Sequence, residues 1–398
     1  MLIIEGARQV GKSTLAHKLV GEHAQILSLD DPPVREAAVA DPNGFVERLD
    51  AATVVIDEVQ RAPELTLSIK ASIDRDRTPG RFILTGSSTL LRVRGLSDSL
   101  AGRAMRLTLF GLSRGEIGAV NDDFVASIVR RDAAPPEQLT RSDYASLIVT
   151  GGYPEIAAAS DRIRDRWIDS YLENIVRRDL PDLRRGVEPA RAFSLLRVIA
   201  GRQAAELIKA RLASAVDIPA TTITSYLDLL TDVGLVGAIP SWTPNLAKRE
   251  VGRSKVLVLD SAVASRLSGL TAEQLASPEY SEAFGHLLEG FVAAEILKQQ
   301  TWTSEDFRLY HFRDRDGLEV DFILELTGGR CVAIEVKATS TPRAAHFKPI
   351  RRLQEKIGDR LLAGVVLHTG RDTLSFGDRL TASPVSALWA GQPVAERT

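Results

Sequence analysis

The amino-terminal part of the chain alternates short apolar runs with amphipathic segments. Runs that are apolar on both faces occur at Leu2–Ile4, Ile26–Leu29, Thr53–Ile56 and Phe82–Leu84, each bounded by Gly, Asp or Pro. Strands of this kind are typical of a parallel sheet that is covered by helices on both sides. The pattern therefore predicts an α/β core with a parallel sheet.

The pattern becomes mainly helical after residue 120 and richer in strands after residue 300. In the last region it predicts strands within 307–337, a helix about 343–357 and a strand at Leu361–Leu367. The predicted organisation is an α/β core over 1–120, a helical lid or linker over 121–200, a winged-helix-like unit over 201–270 and a C-terminal α/β domain over 271–398.

Composition excludes several classes of protein. Of 398 residues, 44% are apolar and 26% are charged, which rules out global disorder. The 50 basic and 52 acidic residues nearly cancel, so no overall positive field attracts nucleic acid. Cys331 is the single cysteine and is expected to be a packed thiol. No apolar run approaches the ~18 residues of a membrane span. A cytoplasmic protein without a membrane partner is expected.

Residues 6–13 carry the G-x-x-x-x-G-K-[ST] pattern of a phosphate-binding loop, between an apolar strand and a predicted helix. Gly6 and Gly11 let the backbone curl so that its N–H groups face phosphates. Lys12 reaches the β- and γ-phosphates, and Ser13 offers a hydroxyl to Mg²⁺. ATP and Mg²⁺ are thus the expected cofactors. The expected binding residues are Gly6, Ala7, Arg8, Gln9, Val10, Gly11, Lys12, Ser13 and Thr14.

Two later strands end in polar residues that suit the same site. Asp57 follows a buried strand and is expected to hold Mg²⁺, directly or through water, while Glu58 polarises the attacking water. The next strand ends in Thr85, Ser87 and Ser88, any of which could sense the γ-phosphate. For both strands the alternative is a capping turn without chemistry.

Further short motifs follow the phosphate loop in a fixed order: Leu29-Asp30-Asp31-Pro32, Asp57-Glu58-Val59-Gln60, Leu84-Thr85-Gly86-Ser87, Leu100-Ala101-Gly102-Arg103, Gly151-Gly152-Tyr153-Pro154 and Arg178-Asp179. Together they resemble the bacterial and archaeal AAA-type ATPases that carry a C-terminal domain of unknown function. The resemblance implies a P-loop ATPase core. Relatives usually have a segment before the first strand, so either the chain is short or its native start lies upstream of Met1.

The resemblance also implies a role for Arg103. In similar ATPases, an arginine after the third strand contacts the γ-phosphate, in its own chain or across a subunit interface, and stabilises the transition state. Lys12, Glu58 and Arg103 are accordingly the expected catalytic residues. The alternative for Arg103 is a structural or surface arginine. A homo-oligomer or a protein partner is expected, but the sequence does not identify the client.

Residues 204–245 resemble a winged helix-turn-helix, with helices expected over Ala204–Ala213 and Thr221–Val233. The outward side of the second helix lacks Lys and Arg, which a DNA-reading helix normally presents. The segment 248–255 is more basic and forms a candidate wing for DNA, with a structural linker as the alternative. Its basic residues are Lys248, Arg249, Arg253 and Lys255.

Asp321 and Glu335-Val-Lys337 lie on two apolar segments that a Gly-Gly turn connects, so they are expected on adjacent strands. Alternation with period two places Glu335 and Lys337 on one face. This order resembles the PD-(D/E)xK nuclease core, in which two carboxylates bind Mg²⁺ and a lysine helps to activate water. Glu289, on the preceding helix, matches its helical acidic residue. The resemblance implies a second metal site at Glu289, Asp321 and Glu335, with Lys337.

Charge weakens the case for an active nuclease. Residues 305–360 contain eleven basic and ten acidic residues, which offers nucleic acid no cationic track. A nuclease-like fold used for binding or assembly is therefore favoured. The favoured function is an ATP-binding, ATP-hydrolysing protein whose nucleotide state repositions the winged-helix-like and nuclease-like domains. The alternatives are a non-hydrolysing nucleotide switch or scaffold, and an ATP-regulated, metal-dependent DNA nuclease.

Overall fold

A computed structural model describes residues 1–21, 23–86, 102–184, 186–244, 252–314 and 316–394. The chain forms two compact units. The first comprises Met1–Gly111 and Leu229–Leu235, and the second comprises Leu112–Asp228 and Val236–Thr398. A segment from the middle of the sequence thus belongs to the first unit, which the sequence pattern does not indicate.

The first unit is built on one parallel sheet. Its strands are β1 (Leu2–Glu5), β2 (Gln25–Ser28), β3 (Val54–Asp57), β4 (Phe82–Gly86) and β5 (Met105–Thr108), and its helices are α1 (Lys12–Leu19), α2 (Pro32–Ala40), α3 (Pro42–Glu47), α4 (Leu65–Arg75) and the short 3₁₀ helix Val59–Arg61. The strand order is β2-β3-β4-β1-β5, and all neighbours are parallel. The predicted α/β core is confirmed, and β5 is a strand that the sequence pattern missed.

Burial on both faces explains the parallel sheet. Val55 and Ile83 pack with Ala16 on one face, and Ile56 and Phe82 join the core on the other. Because the strands are parallel, their carboxyl ends lie at one edge, where α/β proteins bind ligands. The phosphate loop follows β1 at this edge.

The second unit begins with a mainly helical region, as expected. Its elements are α5 (Arg114–Ile117), β6 (Val120–Asp122), α6 (Phe124–Arg130), α7 (Arg141–Thr150), α8 (Asp161–Asn174), the π-helical turn Ile175–Asp179, α9 (Leu180–Leu183) and α10 (Pro189–Ala200). Within the part of the chain that the structure describes, no helix combines the length and the apolar character needed to cross a membrane.

A small antiparallel sheet follows, in the order β7-β9-β8. Its region contains β7 (Ala205–Glu206), α11 (Lys209–Ala215), α12 (Ile223–Asp232), β8 (Val236–Ile239) and β9 (Lys255–Val258). The helix expected over Ala204–Ala213 is wrong in its first half. Ala204 has a φ of +56°, and Ala205 pairs with Val256, so tertiary hydrogen bonds override the helical preference of alanine.

The C-terminal part contains a six-stranded mixed sheet in the order β10-β11-β12-β13-β15-β14. The helices are α13 (Ser261–Ser268), α14 (Ala272–Ala276), α15 (Ser281–Gln299) and α16 (Lys348–Ile357). The strands are β10 (Phe307–Arg313), β11 (Glu319–Leu326), β12 (Cys331–Lys337), β13 (Leu361–His368), β14 (Leu374–Gly377), β15 (Leu380–Pro384) and β16 (Gly391–Pro393). Short 3₁₀ helices span Pro278–Tyr280, Thr327–Gly329, Ala344–Phe347, Gly358–Arg360 and Val385–Trp389. The hairpin β11–β12, the helix before β13 and the buried Cys331 confirm the predictions. The strand β16 pairs with β6.

Candidate functional site

The loop between β1 and α1 turns through three residues with positive φ: Gly6 at 153°, Gln9 at 66° and Gly11 at 96°. A Cβ on Gly6 would lie 2.1 Å from the carbonyl oxygen of Leu109, so this position requires glycine for space as well as for conformation. Gly11 has open space around it and requires glycine for its φ alone. The loop buries Ala7 and Val10 and exposes Arg8, Gln9 and Thr14.

Lys12 lies inside the curl of this loop. Its side chain is only 5% exposed, and its ammonium group donates hydrogen bonds to the carbonyl oxygens of Gly6 (3.2 Å) and Ala7 (2.7 Å). Burial lowers the pKa of Lys12, and Glu58 and Asp57 partly oppose that shift. The loop therefore holds a cation at its centre, where an anionic ligand would be neutralised.

Three polar side chains meet at the carboxyl edge of the sheet. The Ser13 hydroxyl donates to both oxygens of Asp57, each at 2.9 Å. The Thr85 hydroxyl, from β4, donates to the same carboxylate and accepts the backbone N–H of Glu58 at 3.3 Å. Of the three candidate hydroxyls, Thr85 is thus placed at this site, and Ser87 and Ser88 lie outside the described residues.

The oxygens of Ser13 and Asp57 fit a magnesium ion, which prefers hydroxyl and carboxylate ligands and keeps several waters. Ser13 follows the buried Lys12 at the start of α1, and Asp57 at the end of β3 is close enough to act on the Lys12 charge. The structure therefore brings together the residues that the sequence assigns to the phosphates and to Mg²⁺.

Glu58 follows Asp57 directly but has a left-handed backbone, with φ 57° and ψ 42°. For a residue with a Cβ this conformation is unfavourable, and such strain is common at functional sites. The side-chain amide of Gln60 donates a hydrogen bond to one carboxylate oxygen of Glu58. Gln60 therefore orients the carboxylate, a partner that sequence reasoning did not identify.

Gly234 is a second element that the sequence did not connect with the loop. It follows α12 with a φ of +74°, and a Cβ there would lie 2.9 Å from the Cβ of Ala7. The chain at Gly234 therefore supports the phosphate loop by close backbone contact. Its sequence signal, a glycine closing a helix, predicts the cap but not the contact.

Arg103 lies at the other edge of the sheet from the phosphate loop of its own chain. It precedes β5, its carbonyl oxygen accepts a hydrogen bond from the Met1 amino group, and its guanidinium pairs with Asp74 of α4 at 2.6 Å and 3.1 Å. Because β1 and β5 are parallel, this is the amino end of both strands. The structure therefore does not bring Arg103 to the phosphates within one chain.

The acidic residues of the C-terminal region do come together. Lys337 lies 2.6 Å from Glu335 and 4.0 Å from Asp321, which confirms that Glu335 and Lys337 share a face. Asp321 also accepts the backbone N–H of Val336 at 2.8 Å. Glu335 is 3% exposed, and its Oε1 has no hydrogen-bond partner among the described residues.

Lys255 completes this group, so its assignment to the candidate basic wing is wrong. Its ammonium lies 2.8 Å from Glu289, 3.1 Å from Glu319 and 3.7 Å from Asp321, and its side chain is 2% exposed. Lys255 is thus not an exposed wing residue, because neighbouring carboxylates hold it in the interior. Arg253 is exposed, and Lys248 and Arg249 lie outside the described residues.

Glu289, Glu319, Asp321 and Glu335 form a group that we call the carboxylate cluster, and burial raises the pKa of two of them. Desolvation and repulsion from Asp321 raise the pKa of Glu289 and that of Glu335 to about 8, against the attraction of Lys255 and Lys337 respectively. Burial alone would lower the pKa of Lys255, but its carboxylate neighbours outweigh this effect and raise it.

The carboxylate cluster does not fit a divalent metal ion as arranged. In the described ranges, no three His, Cys, Asp or Glu side chains are grouped so that they could hold one. Lys255 lies between Glu289 and Asp321, and Lys337 engages Glu335. The positive charges beside these carboxylates are therefore the side chains of Lys255 and Lys337.

Comparison with solved structures gives weak likenesses. The Holliday junction branch migration motor RuvB of Thermotoga maritima has a TM-score of 0.28 and 21% identity, covering 64% of this chain and 83% of RuvB. The Aeropyrum pernix ORC1 protein in complex with DNA has a TM-score of 0.24 and 12% identity, covering 67% of this chain and 86% of ORC1. Scores this low do not bear on what the chain does.

Comparison with protein families is more informative. The AAA domain matches residues 1–118, and two domains of unknown function, DUF8612 and DUF4143, match residues 141–274 and 284–388. The uncharacterized proteins Mb2031c of Mycobacterium bovis and Rv2008c of Mycobacterium tuberculosis are each 30% identical over 393 residues, which is 98% of this chain and 80% of theirs. The chain therefore belongs to the family of these mycobacterial proteins, and its amino-terminal part is an AAA domain.

Proposed function

We propose that the first unit binds ATP with Mg²⁺ and hydrolyses it. The observation that carries this proposal is the contact of Ser13 with Asp57 beside the buried Lys12. Lys12 and Ser13 begin α1 and Asp57 ends β3, yet they form one polar site at the ligand-binding edge of the sheet. The AAA domain family supports the same function.

Each residue has a distinct role in this proposal. Lys12 and the loop N–H groups neutralise the phosphates, while Ser13 and Asp57 would hold Mg²⁺, which supplies charge neutralisation for phosphoryl transfer when bound. Glu58 orients and polarises the attacking water, and Gln60 restrains its carboxylate. Thr85 fixes Asp57 and the Glu58 backbone, so it links the metal ligand to the base.

We propose a catalytic role for Arg103 only across a subunit interface. Its position beside Asp74 separates it from the phosphate loop of its own chain. In a homo-oligomer, the arginine of one subunit would approach the nucleotide of the next. In that arrangement it would stabilise transition-state charge in trans.

We further propose that nucleotide state reaches the second unit through α12. This helix starts in the second unit and ends in the first, where Gly234 lies against Ala7 of the phosphate loop. A change in the loop on hydrolysis would therefore move the end of α12. Such a hinge is one of the usual ways in which switching proteins transmit a ligand signal.

The test is the ATPase rate per subunit, measured over a range of protein concentrations with and without DNA. Hydrolysis that disappears in Glu58→Gln supports the proposal, and an absence of hydrolysis in folded wild-type protein favours a non-hydrolysing switch. A rate that rises with concentration indicates sites shared between subunits. Stimulation by DNA identifies DNA as a partner.

One observation favours the second candidate function, a nuclease. The order α15, β10, β11, β12, α16, β13 brings Asp321, Glu335 and Lys337 together. Among the described residues, the carboxylate cluster as arranged does not fit a divalent metal ion. Incubation with DNA and Mn²⁺ tests this candidate, and cleavage that Lys337→Ala leaves unchanged would not come from this site.

A further inference from the structure

A cavity beside the carboxylate cluster carries more positive than negative charge. It has a volume of about 600 Å³, and its walls include Arg202, Arg211, Arg253, Arg313 and Lys255. Three carboxylates, Glu206, Glu289 and Glu319, also line it. The cavity lies entirely within the second unit and is separate from the phosphate loop.

The carboxylates of the cavity wall are already paired with cations. Glu289 pairs with Lys255 at 2.8 Å, and Glu319 pairs with Lys255 at 3.1 Å and with Arg313 at 3.3 Å. Arg313 also lies 3.6 Å from Glu206. The negative charges of the wall are therefore neutralised from within the protein.

Three guanidinium groups remain. Arg202, Arg211 and Arg253 are exposed at the cavity and have no ion-pair partner within the described portion of the chain. They come from three separate segments: the turn after α10, the helix α11 and the residues before β9. Planar guanidinium groups match phosphate oxygens with paired hydrogen bonds, which favours a phosphate-bearing ligand.

The rest of the cavity has the size and lining of a small-molecule site. Ile199, Ile208, Leu212 and Val256 give it apolar surface, and its volume lies within the range of about 300–1,000 Å³ that ligand pockets occupy. An apolar surface beside guanidinium groups suits a ligand with one flat apolar part and one phosphate. A nucleotide unit has both.

We propose that this cavity binds a nucleotide phosphate without a divalent metal, and that Lys255 supplies the positive charge that a metal would bring to the acidic wall. The ammonium of Lys255 already contacts three carboxylates, so a metal ion could enter only by displacing it. The ligand comes from either of two sources, a free nucleotide or the end of a single nucleic acid strand. The proposal does not depend on ATP hydrolysis in the first unit.

The test uses a fluorescent, 5′-phosphorylated oligothymidylate and full-length protein in EDTA, with thymidine monophosphate as competitor. Wild-type protein is expected to bind the oligonucleotide, and the variant Arg202→Gln/Arg211→Gln/Arg253→Gln is expected to bind at least tenfold more weakly. If the ligand is a nucleic acid strand, the binding constant of the variant should also depend less on salt. The slope of its logarithm against the logarithm of salt concentration should be smaller by about 0.7 for each phosphate that the variant no longer neutralises. If thymidine monophosphate displaces the oligonucleotide at a concentration comparable to that of the oligonucleotide, the ligand is a free nucleotide.

The matched control is Arg162→Gln/Arg166→Gln/Arg308→Gln, which removes the same charge from exposed positions outside the cavity. Equal weakening in both variants, or no weakening in the first, would overturn the proposal. ATP binding is measured on every protein. It should stay unchanged, so a failure of the phosphate loop and a failure of the cavity can be told apart.

The variant Lys255→Met tests whether Lys255 takes the place of a metal ion at the acidic wall. Mn²⁺ binding is measured by electron paramagnetic resonance without nucleotide, and the variant is expected to bind one more ion per chain than wild type. Oligonucleotide binding by wild type that requires Mn²⁺, or equal Mn²⁺ binding by both proteins, would contradict the role of Lys255. If Lys255→Met does not fold, oligonucleotide binding by wild-type protein with and without EDTA still tests whether the cavity needs a metal ion.

Discussion

The Ser13 hydroxyl lies 2.9 Å from both carboxylate oxygens of Asp57, which joins the first turn of α1 to the end of β3. The two residues are far apart in sequence, and the parallel sheet brings them together at the edge where its strands end. With Lys12 beside them, they make the phosphate loop part of a complete polar site.

Replacing Lys12 by alanine is expected to weaken ATP binding at least tenfold, about 1.4 kcal/mol. The reason is that its buried ammonium is the cation at the centre of the loop. Calorimetric titration with ATP and Mg²⁺ measures the effect. Lys18→Ala, an exposed lysine on the same helix, is the control and should bind as wild type does.

Glu58→Gln is expected to keep ATP binding and to slow hydrolysis by about 10²–10⁴-fold, the usual contribution of general base catalysis. The amide keeps the shape of the side chain and loses the carboxylate that polarises water. Single-turnover kinetics measure the change. Glu64→Gln, at an exposed position nearby, should hydrolyse normally. Equal rates in both variants would exclude Glu58 as the base.

Gly234→Ala is expected to destabilise the first unit by about 1–2 kcal/mol from backbone strain and to weaken ATP binding as well. The added Cβ would press on Ala7 of the phosphate loop. Gly269→Ala is a matched control, because Gly269 also has positive φ but has open space around it. Thermal unfolding and ATP affinity should separate them, with affinity changed only at Gly234.

Sequence reasoning succeeds where the signal is local. The apolar runs predict β1 to β4, and the spacing of Gly6, Gly11 and Lys12 predicts the loop, because these features depend on neighbouring residues. It fails at Lys255, since lysine is rarely buried and only the packing of β9 against α15 and β11 shows that it is. The contact of Gly234 with Ala7 likewise depends on tertiary structure.

Asp122 gives a pH prediction in the second unit. Burial raises its pKa from 3.8 to about 6, although the Gln299 amide donates to it at 2.9 Å. The folded state thus holds the proton more tightly than the unfolded state. Asp122 should therefore contribute a fall in the free energy of unfolding as pH rises from 3.8 to about 6, by at most about 3 kcal/mol because solvent screens part of the effect, and this contribution should stay lost above that pH.

Denaturant unfolding over this pH range measures the effect of Asp122. Asp122→Asn should remove this part of the pH dependence, because the amide does not titrate. Asp132→Asn, at an exposed position, should leave it in place. A wild-type free energy of unfolding that rises across this range, with the same slope in Asp122→Asn, would show that burial of Asp122 is not the cause.

Arg103→Ala is expected to leave ATP turnover unchanged in dilute protein and to lower it only at concentrations where subunits associate. The ion pair with Asp74 keeps this arginine away from the phosphate loop of its own chain. The rate per subunit across a dilution series measures the effect. An equal loss at every concentration would instead place Arg103 at the site of its own chain.

Calorimetric titration of the folded full-length chain with ATP and Mg²⁺ tests the central claim most directly. We expect saturable binding of one nucleotide per chain, which Lys12→Ala abolishes or weakens at least tenfold. A wild-type protein that is folded and shows no heat of binding, or a Lys12→Ala variant with unchanged affinity, would contradict the assignment of residues 6–13 as a phosphate site.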